Sequence, residues 1–165
     1  MKPLPKDFFK RDTVKVAREL VGKILQVGNK KVRIVETEAY KQDKASHARK
    51  KTPRSELMWT TQGHVYVYMI YGMYFCLNIT TDVSAGAVLI RAAESEDNSC
   101  SGPGKLCKTL NITIKDNKAP LGKRIKILDD GFRPKIVATT RVGIREDTHL
   151  PWRFYIKGNS CVSKK

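Results

Sequence analysis

The sequence predicts an α+β fold built around a mostly antiparallel sheet, and three observations predict it. Runs of β-branched and aromatic residues with period-two alternation dominate the middle of the chain, two of them are joined by a tight turn, and the clearest amphipathic helix lies at the N-terminal flank. No internal repeat, low-complexity tract or Pro/Gly/Ser linker divides the 165 residues, so a single domain over 1–165 is expected. With 41% apolar and 29% charged residues, the composition is that of a globular chain rather than a disordered or fibrous one.

Taken in order, Val14, Ala17, Val21 and Leu25, with Leu20 beside them, fall at helical spacing, and Asp12 or Thr13 can cap the start; a helix is predicted over 12–25. Lys31 to Tyr40 alternates as a strand. It puts Ile34, Glu36, Glu38 and Tyr40 on one face and Val35, Thr37 and Ala39 on the other. Lys41 to Arg54 is a polar, basic loop that carries His47 and a single acid, Asp43. Val65 to Ile70 and Met73 to Thr80 flank Tyr71-Gly72 and read as a β-hairpin. Ala87 to Arg91 is a further short strand, and Gly102-Pro103-Gly104 leads into a short helix over 105–110. Lys135 to Thr139 and Arg153 to Ile156 supply the last strands.

Charge narrows the function. Thirty-two Lys and Arg against 16 Asp and Glu give +16, with a pI near 9.9, an excess that repels itself unless a polyanion is the partner. Nucleic acid is the first expectation and an anionic membrane the second. Against the membrane, Met1-Lys2-Pro3-Leu4-Pro5 has neither an apolar signal core nor a lipidation motif. The apolar run Val65 to Ile79, 15 residues with four tyrosines, falls short of the roughly 20 that a span needs. Cys76, Cys100, Cys107 and Cys161 lack the paired CxxC spacing of a zinc site and read as reduced, buried thiols. No metal and no cofactor are expected.

Three features could carry chemistry. Hairpin tips normally hold Asn, Asp or Gly, because a tip in water gains nothing from large apolar groups; here the tip is Tyr71-Gly72-Met73-Tyr74. Such a tip either folds over into the core or inserts into something, and for a chain this basic the candidate is a base step of duplex DNA. Tyr66 and Tyr68 share a strand face, and Tyr40 shares one with Glu38; with His47 nearby, such a set could hold an extruded base between aromatic faces. Glu36 and Glu38, two apart on one strand, project in parallel about 7 Å apart and cannot flank a bond from opposite sides. Either one is a general base and the other an ion-pair partner for the basic surroundings, or both are salt-bridged surface acids. A phosphate-loop reading of Gly102-Pro103-Gly104-Lys105-Leu106 fails, because the spacing is wrong and Leu106 stands where a hydroxyl is needed. Lys105 and the start of that helix facing a backbone phosphate is the milder expectation. Two alternatives from other classes are a basic, non-catalytic nucleic-acid-binding module and a metal-dependent nuclease, the latter with only Glu36 and Glu38 to offer.

The segments RIVETEAY (Arg33 to Tyr40), SHAR (Ser46 to Arg49), TPR (Thr52 to Arg54), YVYMIYGMYFCLNI (Tyr66 to Ile79), AVLIRAAE (Ala87 to Glu94), GPGKLC (Gly102 to Cys107), RVGI (Arg141 to Ile144) and RFY (Arg153 to Tyr155) together resemble the alkyladenine (3-methylpurine) DNA glycosylase family. The resemblance covers nearly the whole chain, in order and with matching spacing. It implies a single mixed domain with a curved antiparallel sheet, surrounding helices and a protruding hairpin. The implied activity is base-excision repair, in which a damaged purine is flipped from duplex DNA and its N-glycosidic bond hydrolysed without lyase chemistry.

By position, the resemblance gives Glu38 the role of general base and Arg91 a place near the flipped nucleotide's phosphate and the water. Tyr40, His47 and Tyr68 become base-stacking walls, Asn78 the residue that rejects guanine's amino group, and Val142 the residue whose backbone helps place the water or base. Tyr71 becomes the wedge that fills the vacated stack, with Met73 and Tyr74 beside it. The implied partner is double-stranded DNA with a damaged purine, in the cytoplasm at the nucleoid if bacterial and in the nucleus if eukaryotic; a monomer is the default expectation, since the sequence shows no coiled-coil seam or obvious apolar interface. Two departures stand out: Cys161 replaces a tryptophan common in the family, and the lysine-rich stretch 114–130 matches poorly; they bear on the protein–DNA periphery and leave the pocket alone.

Overall fold

The computed structural model describes residues 1–164. Among these residues nine strands form one branched, antiparallel sheet: β1 (Lys2–Pro3), β2 (Ile24–Val27), β3 (Lys30–Tyr40), β4 (Val65–Ile70), β5 (Tyr74–Thr81), β6 (Gly86–Ala93), β7 (Ile125–Asp129), β8 (Ile136–Thr139) and β9 (Arg153–Ile156); seven run in the order β1-β7-β2-β3-β6-β5-β4, and β9 branches from β3 with β8 on its far side. The long strand β3 is the hub. Its first half pairs with β2, Gln26 opposite Lys31, and its second half with β9, Glu38 opposite Arg153, while β6 runs along the other edge. Three helices flank the sheet: α1 (Thr13–Leu20), α2 (Glu56–Thr60) and α3 (Pro103–Thr109). The α+β class with a mostly antiparallel sheet and flanking helices is therefore what the chain adopts.

Helix α1 begins where Asp12 accepts the Lys15 N–H at 3.2 Å, and it buries Val16, Ala17 and Leu20 against β3, where the Thr37 hydroxyl donates to the Ala17 carbonyl at 2.7 Å. It stops at Leu20, five residues short of the predicted end. Gly22 takes a left-handed φ of +92°, which ends a helix, and a Cβ there would meet the Pro134 ring at 2.7 Å. Leu25 is buried as predicted, but within β2. The lysine-rich stretch 114–130, in which the sequence showed no strand, joins the sheet. Ile125, Ile127 and Leu128 place β7 between β1 and β2 in the sheet, and residues 117–120 cover the outer edge of β4, with Lys118 N–H bonded to the Val65 carbonyl. Lysines at exposed positions hid a strand whose inward residues are fully apolar.

The packing of α1 on the sheet leaves no room at Gly86, where an added Cβ would lie 2.0 Å from Thr13 Oγ1. Gly86→Ala is expected to cost about 1–3 kcal/mol through overpacking, read as a lower midpoint in urea unfolding. A midpoint equal to wild type would show that α1 can shift without loss.

Candidate active site

The middle of β3 carries Glu36 and Glu38, and both side chains are fully buried, so neither is the surface acid that the sequence left open. The register with β6 slips on either side of Glu36: Ile34 opposes Ala93, Glu36 opposes Ala92 and Thr37 opposes Ile90, which leaves Arg91 without a β3 partner. A bulge of this kind re-aims a side chain. Here it presents Arg91 to both acids, Nε to Glu36 Oε1 at 3.2 Å and Nη1 to Glu38 Oε1 at 3.5 Å. Glu36 also receives Arg153 Nη1 at 2.8 Å and the Ser163 backbone N–H at 2.7 Å. It is the structural half of the pair, saturated by cations and an amide.

Glu38 has a different environment. Its Oε1 accepts the Tyr40 hydroxyl at 2.8 Å and its Oε2 accepts the Val142 backbone N–H at 2.6 Å. Burial pushes its carboxyl above the ordinary 4.5, against the opposing pull of Arg91, the Val142 amide and Tyr40, with Glu36 adding a smaller upward push. Tyr40, itself raised by burial and by the Glu38 charge, stays protonated and donates. A buried carboxylate whose proton affinity is raised by burial, against the pull of those three donors, is a better proton acceptor than an ordinary surface acid.

Beside Glu38 lies a small cavity of about 80 Å³ lined by Tyr40, Ala45, His47, Met58, Tyr66, Tyr68 and Asn78. That is well below the roughly 300–1,000 Å³ of ligand pockets, so a purine-sized guest requires the walls to part. His47 sits in a short 3-10 turn, His47–Arg49, capped by the Ser46 hydroxyl, which accepts the Ala48 N–H at 3.0 Å. Its ring lies edge-on to Tyr68, 4.5 Å between centroids, and its Nδ1 is 2.8 Å from the Tyr66 hydroxyl, leaving Nε2 for a guest. Burial and the Arg54 charge push its pKa down to about 4, so the imidazole is neutral at physiological pH. Asn78 is buried and donates to the Tyr66 carbonyl at 3.2 Å, which fixes its amide in the wall.

The hairpin of β4 and β5 carries the aromatic tip. Tyr71, Met73 and Tyr74 are 87%, 64% and 45% exposed, which rules out the folded-over arrangement in which Tyr71 is core. Tyr71 and Gly72 have left-handed φ of +52° and +65°, the pattern of a type I′ turn, and a tyrosine at such a position is strained. Gly104, in the first turn of α3, packs under the Tyr74 ring, where a Cβ would lie 3.0 Å from Cδ1. Exposed Lys105 therefore stands in the helix turn that supports the tip.

The structure brings Glu38, Arg91, Tyr40, His47, Tyr68, Asn78 and Val142 into one neighbourhood, and Tyr71, Met73, Tyr74 and Lys105 into a second, at the far end of the hairpin. The residues that sequence reasoning did not single out are Met58, which α2 brings to the cavity, and Arg141, Arg153 and Ser163, whose bonds to β3 all come from more than 100 residues away. Among the described residues, no group of three or more His, Cys, Asp or Glu could hold a metal ion, and no helix is long and apolar enough to cross a membrane. The four cysteines are free and buried.

Comparison with known proteins bears on this arrangement. Residues 7–160 match the family model for methylpurine-DNA glycosylase. A protein of Methanocella arvoryzae named for 3-methyladenine DNA glycosylase is 43% identical, the alignment covering all of this chain and 98% of the relative. Counterparts of the same name in Clostridium novyi and Bdellovibrio bacteriovorus are 42% and 41% identical, covering 100% and 98% of this chain and 100% and 99% of the relatives. With the match running end to end through β3, the hairpin and α3, the chain belongs to the methylpurine-DNA glycosylase family of DNA-repair hydrolases.

Proposed function

We propose that this protein flips alkylated or deaminated purines, of the 3-methyladenine, 7-methylguanine, hypoxanthine and ethenoadenine type, out of duplex DNA and hydrolyses their N-glycosidic bond, leaving an abasic site. The observation that carries this reading is a fully buried Glu38 carboxylate adjoining an aromatic cavity, on the sheet whose hairpin exposes a large apolar tip. Glu38 takes a proton from water as the oxygen attacks C1′, and its negative charge stabilises the sugar cation that forms as the bond breaks. The base departs with the bonding electrons. A 3- or 7-alkylated purine is already cationic and leaves neutral, whereas hypoxanthine and ethenoadenine take a proton at N7 from solution. Val142 and Arg91 fix the carboxylate and the water, and Arg91 also faces the nucleotide's phosphate.

Tyr40, Tyr68 and neutral His47 stack on the base, at about 1–3 kcal/mol per stacked base, and Asn78 opposes the amino group of guanine. Tyr71 fills the vacated stack, flanked by Met73 and Tyr74, with Lys105 on a phosphate. The +16 charge supplies sequence-independent grip, weakening with salt by about 0.9 in log K per phosphate neutralised. One protein molecule on one duplex suffices, without metal, cofactor or a covalent lysine.

The test is a duplex carrying one hypoxanthine, and a second carrying alkylated purine, incubated in chelator and then treated with alkali. Breaks at the lesion that appear only after alkali support a monofunctional glycosylase. Tight duplex binding with no base released supports the non-catalytic module instead. The wedge has its own test in Tyr71→Asn. Asparagine relieves a left-handed strain of about 1–2 kcal/mol, so thermal stability should hold or rise. Lesion binding should weaken by about 1–3 kcal/mol, roughly 5- to 150-fold in Kd. Unchanged lesion affinity in that variant would remove Tyr71 from the interface.

A further inference from the structure

Arg141 is a buried cation that the scheme above leaves unused. It follows β8, its side chain is 0% exposed, and its partners are Tyr40 of the cavity wall, the β3 backbone beside Glu38, Asp43 of the loop that carries His47, and Trp152. The guanidinium lies between two rings, 4.7 Å from the centroid of Tyr40 and 5.2 Å from that of Trp152. Nη1 donates to the Ala39 carbonyl, between Glu38 and Tyr40, at 3.0 Å. Nη2 is 2.8 Å from Asp43 Oδ2, an ion pair rather than an aligned hydrogen bond, with the Asp43 side chain only 5% exposed. Asp43 in turn holds its loop: Oδ1 accepts the Lys41 N–H at 2.9 Å and its carbonyl accepts the Ser46 N–H at 3.1 Å, one residue before His47. The next residue along the chain from Arg141 is Val142, whose amide donates to Glu38 at 2.6 Å.

A buried charge is costly and is kept where several partners need it at once. A planar guanidinium can stack on two rings while bonding a carbonyl and a carboxylate; an ammonium cannot. We infer that Arg141 is a positioning residue for base release, holding the Val142 amide, the Tyr40 ring and the 41–47 loop as one unit against Glu38. The inference rests on the reading of Glu38 as the base. Loosening this unit withdraws two donors, the Val142 N–H and the Tyr40 hydroxyl, that favour the ionised carboxylate. The remaining groups facing Glu38 stay in place: Arg91 from β6, Tyr68 and Cys76 from β4 and β5, Glu36 on its own strand and, through Glu36, Arg153 from β9. Without those two donors, Glu38 holds its proton to higher pH.

The experiment compares wild type with Arg141→Met by the pH dependence of single-turnover base release and by the titration of the Glu38 side-chain carboxyl in carbon-13 NMR. Binding of a duplex with an abasic-site analogue, which has no base to clasp, is the control. The expected result is an acid limb and a Glu38 titration both moved up by about one unit, hence a rate about tenfold lower at a pH below the limb, with analogue binding unchanged. A cooperative unfolding transition at lower temperature with an unmoved limb and titration overturns the inference and leaves Arg141 a packing residue. If Arg141→Met does not fold, Arg141→Lys and Asp43→Asn carry the same test; an upward shift in either supports the inference, and coincidence of both with wild type overturns it. Absence of base release from wild type sinks the reading of the reaction, whereas the NMR titration still decides the coupling of Arg141 to Glu38.

Discussion

Glu38→Gln is expected to lower single-turnover purine release by about 10²- to 10⁴-fold, the usual span for a positioned general base, while lesion binding stays near wild type. Glutamine keeps the volume of the buried side chain but has one acceptor where the carboxylate has two, so it cannot serve both the Tyr40 hydroxyl and the Val142 amide. The pH dependence carries a sign. Burial raises the Glu38 pKa above 4.5, so the wild-type rate should climb with pH along an acid limb lying above that value. His47, pushed down to about 4, should add no limb near its ordinary 6.5. In stability the same shift runs the other way. The folded state binds the Glu38 proton more tightly than the unfolded chain, so the contribution of Glu38 is complete below pH 4.5 and is lost as pH rises through the folded value. Glutamine does not titrate. The melting temperature of Glu38→Gln relative to wild type should therefore increase with pH across that window. A flat difference, or a variant that retains base release, removes Glu38 as the proton acceptor.

How much of this was legible in the sequence follows from the range of the interactions. The alternation in β3 and β4 is local, so Glu38 and Tyr40, and Tyr66 and Tyr68, could be assigned to strands from spacing alone. The anomaly at Tyr71 was visible because a bulky aromatic sits where turn chemistry asks for Asn or Gly, and the structure places it 87% exposed. What the sequence hid was set at long range. The bulge that frees Arg91 depends on the pairing of β3 with β6. The burial of both glutamates depends on β9 closing the second edge of β3, and on Ser163 arriving 127 residues after Glu36. Lys123, Arg124 and Lys126 disguised β7, because the apolar positions of a short strand among cations give too little period to stand out. Gly22 was a legible stop signal for α1, passed over because Leu25 continued the helical spacing by coincidence.

The larger stability effect belongs to the other acid. Glu36→Gln leaves Arg91 and Arg153 buried around a neutral side chain, and removing one partner of a buried ion cluster typically costs about 3–5 kcal/mol. At about 2–4 °C per kcal/mol for a chain of this size, the melting temperature should fall by roughly 6–20 °C. Glu94→Gln is the control, since Glu94 is half-exposed and 3.8 Å from Arg33 Nε; such pairs are worth about 0–1 kcal/mol. Activity should respond in an unexpected direction. The Glu36 charge pushes the Glu38 pKa up and also shares Arg91 with it, so neutralising Glu36 removes the push and leaves Arg91 to Glu38 alone. Both changes favour the Glu38 carboxylate. The acid limb of base release should move to lower pH in Glu36→Gln, opposite to the shift expected for Arg141→Met, even as the protein becomes less stable. A limb that moves up or stays put, or a melting temperature within a degree or two of wild type, would overturn the reading of Glu36 as the buried charge that holds Arg91 and Arg153 and pushes on Glu38.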